Sequence, residues 1–108
     1  MIINKLEENI AQPHSKFPNV SGFEVVRNES VYIGRACYLP GCKEVPGEHD
    51  YYVIYYIIEG ELEVNCKNYE PVTLKKGDTL MFEPGDHRYA ENKSVHPVEM
   101  LCINIFKK

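Results

Sequence analysis

The chain has 108 residues, 44% of them apolar, and a net charge of -4 from 12 Lys and Arg against 16 Asp and Glu, with the basic residues scattered rather than clustered. One hydrophobic core fits a chain of this size and two do not, so one fold must carry the function; a composition this apolar excludes a disordered polymer, and dispersed positive charge argues against direct nucleic-acid contact by this segment. No apolar run approaches the roughly 18 to 20 residues of a membrane helix, and the start Met1-Ile2-Ile3-Asn4-Lys5-Leu6 lacks the form of a signal peptide, so a soluble, cytoplasmic protein with no membrane partner is expected.

Residues 1–22, broken by Pro13 and Pro18, read as an irregular N-terminal arm ahead of a single domain over residues 23–108, with a short helix as one option over Ile3 to Ala11. Strand signals then follow one another, each a short β-branched or aromatic run closed by turn residues. Phe23 to Arg27 and Val31 to Tyr38 are separated by Asn28-Glu29-Ser30. Pro40, Gly41, Pro46 and Gly47 break the chain before its longest apolar stretch, Tyr51 to Ile58. Glu59-Gly60 turns into Glu61 to Cys66, where Leu62, Val64 and Cys66 alternate with Glu61, Glu63 and Asn65 as in a half-buried strand. Lys67-Asn68 leads to Tyr69 to Leu74, a turn at Lys75 to Asp78 leads to Thr79 to Phe82, and beyond Pro84-Gly85 come His87 to Glu91 and Val98 to Phe106. Roughly seven to nine short strands with no sustained helical period predict an all-β sandwich or barrel. The four cysteines, Cys37, Cys42, Cys66 and Cys102, form no Cys-x-x-Cys pair and are expected as buried free thiols.

Two stretches carry a more specific signal. Tyr56-Ile57-Ile58-Glu59-Gly60-Glu61 resembles the end of the first motif of the cupin superfamily, and Gly77-Asp78-Thr79-Leu80-Met81-Phe82-Glu83-Pro84-Gly85-Asp86-His87 resembles the second, with one residue fewer before the histidine. Gly60 and Gly77 sit where the chain reverses and positive φ is wanted, Asp78 can satisfy backbone donors in its own turn, and Pro84-Gly85 ends a strand. The resemblance implies a small antiparallel cupin barrel, a double-stranded β-helix or jelly roll. Within the superfamily, the run from His49 to Gly60 and the stretch from Pro84 to Tyr89 look most like the effector-binding domain of AraC-type transcription regulators, which sense a small molecule, often a sugar. Ending at Lys108, the chain is expected to be either the sensor part of such a regulator or a stand-alone barrel of the same descent.

Many cupin enzymes hold a divalent metal with two histidines and a glutamate from the first motif and one histidine from the second. Counted back from Gly60, the family spacing places those first-motif ligands on Gly47, His49 and Val53, so two of the four are missing, while His87 stands for the second-motif ligand. No metal and no cofactor are therefore expected.

If His49 points into the barrel, period two puts Tyr51, Val53, Tyr55 and Ile57 on its face, and His87 with Tyr89 on one face of the later strand. Such a lining of hydroxyl-bearing rings and imidazoles suits a sugar-like or polyol ligand. The resemblance adds that the tyrosine two residues after the second-motif histidine, here Tyr89, lines the family's sugar pocket. Arg35 can add a charged contact, although a solvated or salt-bridged arginine is the commoner arrangement, and tyrosine is in any case a favoured strand residue. His49, Tyr51, Tyr55, His87, Tyr89 and Arg35 are thus the candidate ligand-binding residues. The functional expectation is a non-catalytic sensor module, assembled as a homodimer, against the alternative of a small metal-dependent cupin enzyme of isomerase or dioxygenase type.

Overall fold

Alternation is the rule that builds this protein: along each long strand one set of side chains turns to a shared interior and the other set faces away. The computed structural model describes residues 1, 3, 5, 12, 13 and 20–106, so most of the short helix considered over Ile3 to Ala11 lies outside the described residues. The strands in chain order are β1 (Gln12–Pro13), β2 (Val20–Arg27), β3 (Val31–Tyr38), β4 (Tyr52–Glu59), β5 (Leu62–Cys66), β6 (Val72–Leu74), β7 (Thr79–Phe82), β8 (Arg88–Glu91) and β9 (Val98–Ile105). They form a six-stranded sheet in the order β1-β2-β3-β9-β4-β7 and a three-stranded sheet in the order β6-β5-β8, with every pairing antiparallel. The expected all-β antiparallel barrel is what forms, and among the described residues no helix is long and apolar enough to cross a membrane. The strand expected from Phe23 begins earlier, at Val20, and pairs there with β1.

The core lies between the sheets. Tyr38 of β3, Val53, Tyr55 and Ile57 of β4, Phe82 of β7 and Val98 and Met100 of β9 meet Leu62 and Val64 of β5, Leu74 of β6 and Ala90 of β8, all buried. β4 shows the cause most plainly: Val53, Tyr55 and Ile57 are buried while Tyr56 on the opposite face is exposed.

The turns follow the chemistry of their residues. Gly60 adopts φ +93° between β4 and β5, and a Cβ there would stand 2.6 Å from the Pro97 carbonyl oxygen, so a tight approach and a left-handed backbone both require glycine. Asp78 accepts the Lys75 amide at 2.8 Å, as its place after Gly77 suggested, and Asp86 closes the turn after Pro84 in the same way, accepting the Glu83 amide at 2.8 Å. Between β3 and β4, residues 41–47 run beside the edge of β8: the Glu44 amide bonds the Ala90 carbonyl at 2.9 Å, and Gly47 and Arg88 exchange amide hydrogen bonds at 3.1 and 2.9 Å. This edge is thereby covered. All four cysteines are free; Cys42 is buried and the other three are partly buried.

Candidate functional site

A cavity of about 430 Å³ opens between the six-stranded sheet on one side and β8 with the 41–47 segment on the other. Its walls come from β2, from Tyr32, Gly34, Arg35, Ala36 and Tyr38 of β3, from Val53 and Tyr55 of β4, from Met100, Cys102 and Asn104 of β9, and from Glu44, His49 and Arg88. The small residues at positions 34 and 36 leave the space that larger side chains on β3 would fill. The Tyr32 ring lies over Gly34, where an added Cβ would meet the tyrosine hydroxyl at 2.4 Å.

One wall is a buried polar cluster. The Glu44 carboxyl, only 6% exposed, accepts hydrogen bonds from the Tyr38 hydroxyl, from the Tyr55 hydroxyl at 2.7 Å and from the Ala90 amide at 2.8 Å. Three donors on one carboxyl satisfy what would otherwise be a costly buried group. Burial first, then the neighbouring Glu44, raises the Tyr55 hydroxyl well above the ordinary tyrosine range, and burial with Tyr55 and Glu44 does the same to Tyr38. Both remain neutral donors at physiological pH. Burial also pushes the thiol of Cys102, on the cavity wall, up to about 12, so it is no nucleophile there.

Arg88 of β8 also borders the cavity, 7% exposed, its guanidinium over the Phe82 ring at 4.4 Å from the centroid. Its Nε is buried without a hydrogen-bond partner among the described residues, and no carboxylate there is ion-paired with it.

The expected site residues separate into two groups. Tyr55 lies on the cavity wall as the period predicted, and His49 lines the cavity from the exposed segment before β4. Tyr51 stacks on His49 at 4.8 Å between centroids and meets Phe106 edge-on at 5.0 Å, so it supports the histidine rather than lining the cavity. Arg35 borders the cavity, but Gly34, Ala36 and Tyr38 turn inward, so the Arg35 side chain points the other way and is salt-bridged to Glu99 at 2.6 Å.

His87 and Tyr89 are the larger correction, because the inward positions of β8 are Arg88 and Ala90. Tyr89 pairs with Asn65 on the outer face beneath the Lys43 ammonium, 4.9 Å from its ring centroid, and His87 is exposed with Nδ1 3.9 Å from Glu48. The cause is the missing residue in the Pro84-Gly85-Asp86 turn: a one-residue slip sends each following side chain to the opposite face. Counting one residue further would have found Arg88. Glu44 was hidden in a stretch read only as a break, although Cys42 and Glu44, both buried, show the alternation of a strand.

A divalent metal does not fit this arrangement. The position that the second motif gives to a histidine holds a guanidinium, which has no lone pair to donate, Val53 adds an alkyl group, and Glu44 is occupied by three donors. Among the described residues no three His, Cys, Asp or Glu side chains gather as a ligand set.

Comparison with known proteins adds to the geometry. The family described as Cupin domain matches residues 34–104. An uncharacterized HTH-type transcriptional regulator, YbfI from Bacillus subtilis (strain 168), is 35% identical over 57 residues; these cover 53% of this chain and 20% of the regulator, so the chain spans about a fifth of that relative. Among solved structures, a predicted oxalate decarboxylase from Thermotoga maritima superposes with a TM-score of 0.88 at 22% identity, over 98% of this chain and 100% of that one. KdgF from Halomonas sp. superposes with a TM-score of 0.85 at 16% identity, over 100% and 96%. Likeness at such identities is likeness of fold.

Proposed function

This chain belongs to the cupin domain family, and from that premise we propose that it is a non-catalytic small-molecule-binding module, the effector-sensing part of an AraC-type transcription regulator that works as a homodimer. The observation that carries this reading is the cavity of about 430 Å³ walled by a satisfied polar cluster and a buried arginine. A barrel serving only as a structural unit gains stability by filling its core with apolar side chains, whereas a hollow with Tyr38, Tyr55, Glu44, Arg88 and His49 on its walls gains by holding a polar guest. Tyr55 and Tyr38 offer rings, and their hydroxyls are fixed by Glu44, so the wall is organised before a ligand arrives. Support for the regulatory half comes from the 57-residue likeness to the HTH-type regulator, in a chain whose own charge is unsuited to nucleic acid.

Catalysis by the alternative route, a metal-dependent cupin enzyme, needs a ligand set that Val53 and Arg88 do not supply. A thermal-shift screen of sugars, polyols and their acids tests the proposal, with elemental analysis of the purified protein beside it. Stabilisation by at least one hydroxylated compound is expected. One tightly held equivalent of Fe, Mn, Ni or Zn, lost in a His49→Ala, His87→Ala variant, would revive the enzyme.

A further inference from the structure

We infer that Arg88 anchors a carboxylate, so that the guest of this cavity is a hydroxylated carboxylic acid rather than a neutral sugar or polyol. The inference rests on the small-molecule reading above and gives it a chemical class. A guanidinium carries five N–H donors in one plane and cannot shed its charge. Here its face lies on Phe82, which leaves the in-plane donors as the groups still to be satisfied. Nothing among the described residues takes them: no side-chain hydrogen bond or ion pair of Arg88 forms there, and Nε is buried with no partner.

Glu44 is the nearby candidate for a counter-ion, and its three accepted hydrogen bonds from Tyr38, Tyr55 and Ala90 commit it elsewhere. Arg35, the other arginine along the cavity, is neutralised by Glu99 on the outer face. A buried guanidinium with no hydrogen-bond acceptor or counter-ion among the described residues therefore borders a hollow that can admit a small molecule. A carboxylate matches the guanidinium fork in geometry and charge, and such charge-assisted pairs are about twice as strong as neutral hydrogen bonds. Hydroxyls on the same guest would meet Tyr38, Tyr55 and His49, which share the wall. A neutral polyol fills the space and leaves the charge unmatched.

The test uses the full chain and calorimetric titration with matched pairs that differ only at the end group: gluconate against sorbitol, glucuronate against glucose, and galacturonate against galactose. Glucose 6-phosphate is added as a second kind of anion. The expected result is binding of at least one acid roughly tenfold to a hundredfold tighter than its neutral partner. Arg88→Met should remove that preference, and Arg88→Lys, which keeps the charge and loses the fork, should restore part of it. The preference of the unmodified protein is decisive even where a variant fails to fold. Equal binding of acid and neutral partner overturns the inference and leaves the binding module standing, as does a preference for the phosphate over every acid. Absence of binding across all pairs overturns both and leaves the in-plane donors of Arg88 to ordered water.

Discussion

Glu44 and Arg88 face the same cavity with opposite charges and opposite circumstances, one fully hydrogen-bonded and the other unmatched. Glu44→Ala strands two buried tyrosine hydroxyls and the Ala90 amide, and is expected to lower unfolding stability by about 3 kcal/mol in urea titration. The tyrosines also set a pH limit. Their folded pKa values are raised above the ordinary 10.0, so the native state holds protons that the unfolded chain has released. The stability they contribute is complete below the unfolded pKa and drains away as pH climbs toward the folded values, with Cys42 and Cys102 acting in the same direction. Urea midpoints should fall from about pH 9 upward, and less steeply in a Tyr38→Phe, Tyr55→Phe variant; a flat profile to pH 11 or so would show that the hydroxyls are hydrated. At this scale the sequence was only partly legible. Tyr55 could be placed because β4 is long and regular, while Arg88 and Glu44 depend on a turn one residue short and on a loop that behaves as a strand.

Strand by strand, the reading was close, since β3, β4, β5, β7 and β9 announce themselves by aromatic and β-branched runs between turn residues. What periodicity cannot fix is phase, and β8 shows the consequence: its span was found and its faces were exchanged. Tyr89→Ala is accordingly expected to change stability by less than about 1 kcal/mol and to leave ligand affinity unaltered, the signature of an outer-face residue; a large loss of affinity would return Tyr89 to the site. Turns carry more of the energy. Gly60→Ala must place a Cβ 2.6 Å from the Pro97 oxygen at φ +93°, and should cost more than about 2 kcal/mol by thermal denaturation, against near neutrality for a surface change.

For the whole molecule, the six-stranded sheet keeps apolar residues on the side away from the core, among them Ile33, Ile54, Leu101, Ile103 and the exposed Tyr56 and Met81. Paired burial of such a face between two copies accounts for the homodimer we propose. Light scattering at micromolar concentration should give about twice the 12.5 kDa of one chain, and a clean monomer would contradict it. The central claim concerns the other side of that sheet, where the hollow lies between the layers. Its most direct test is side-chain NMR of labelled protein titrated with whichever hydroxylated acid binds in calorimetry. The account predicts that the Arg88 guanidinium and the Met100 methyl, both on the cavity wall, shift on binding while His87 and Tyr89 stay still. Shifts confined to His87 and Tyr89, with Arg88 and Met100 unmoved, would place the ligand outside the barrel and contradict it.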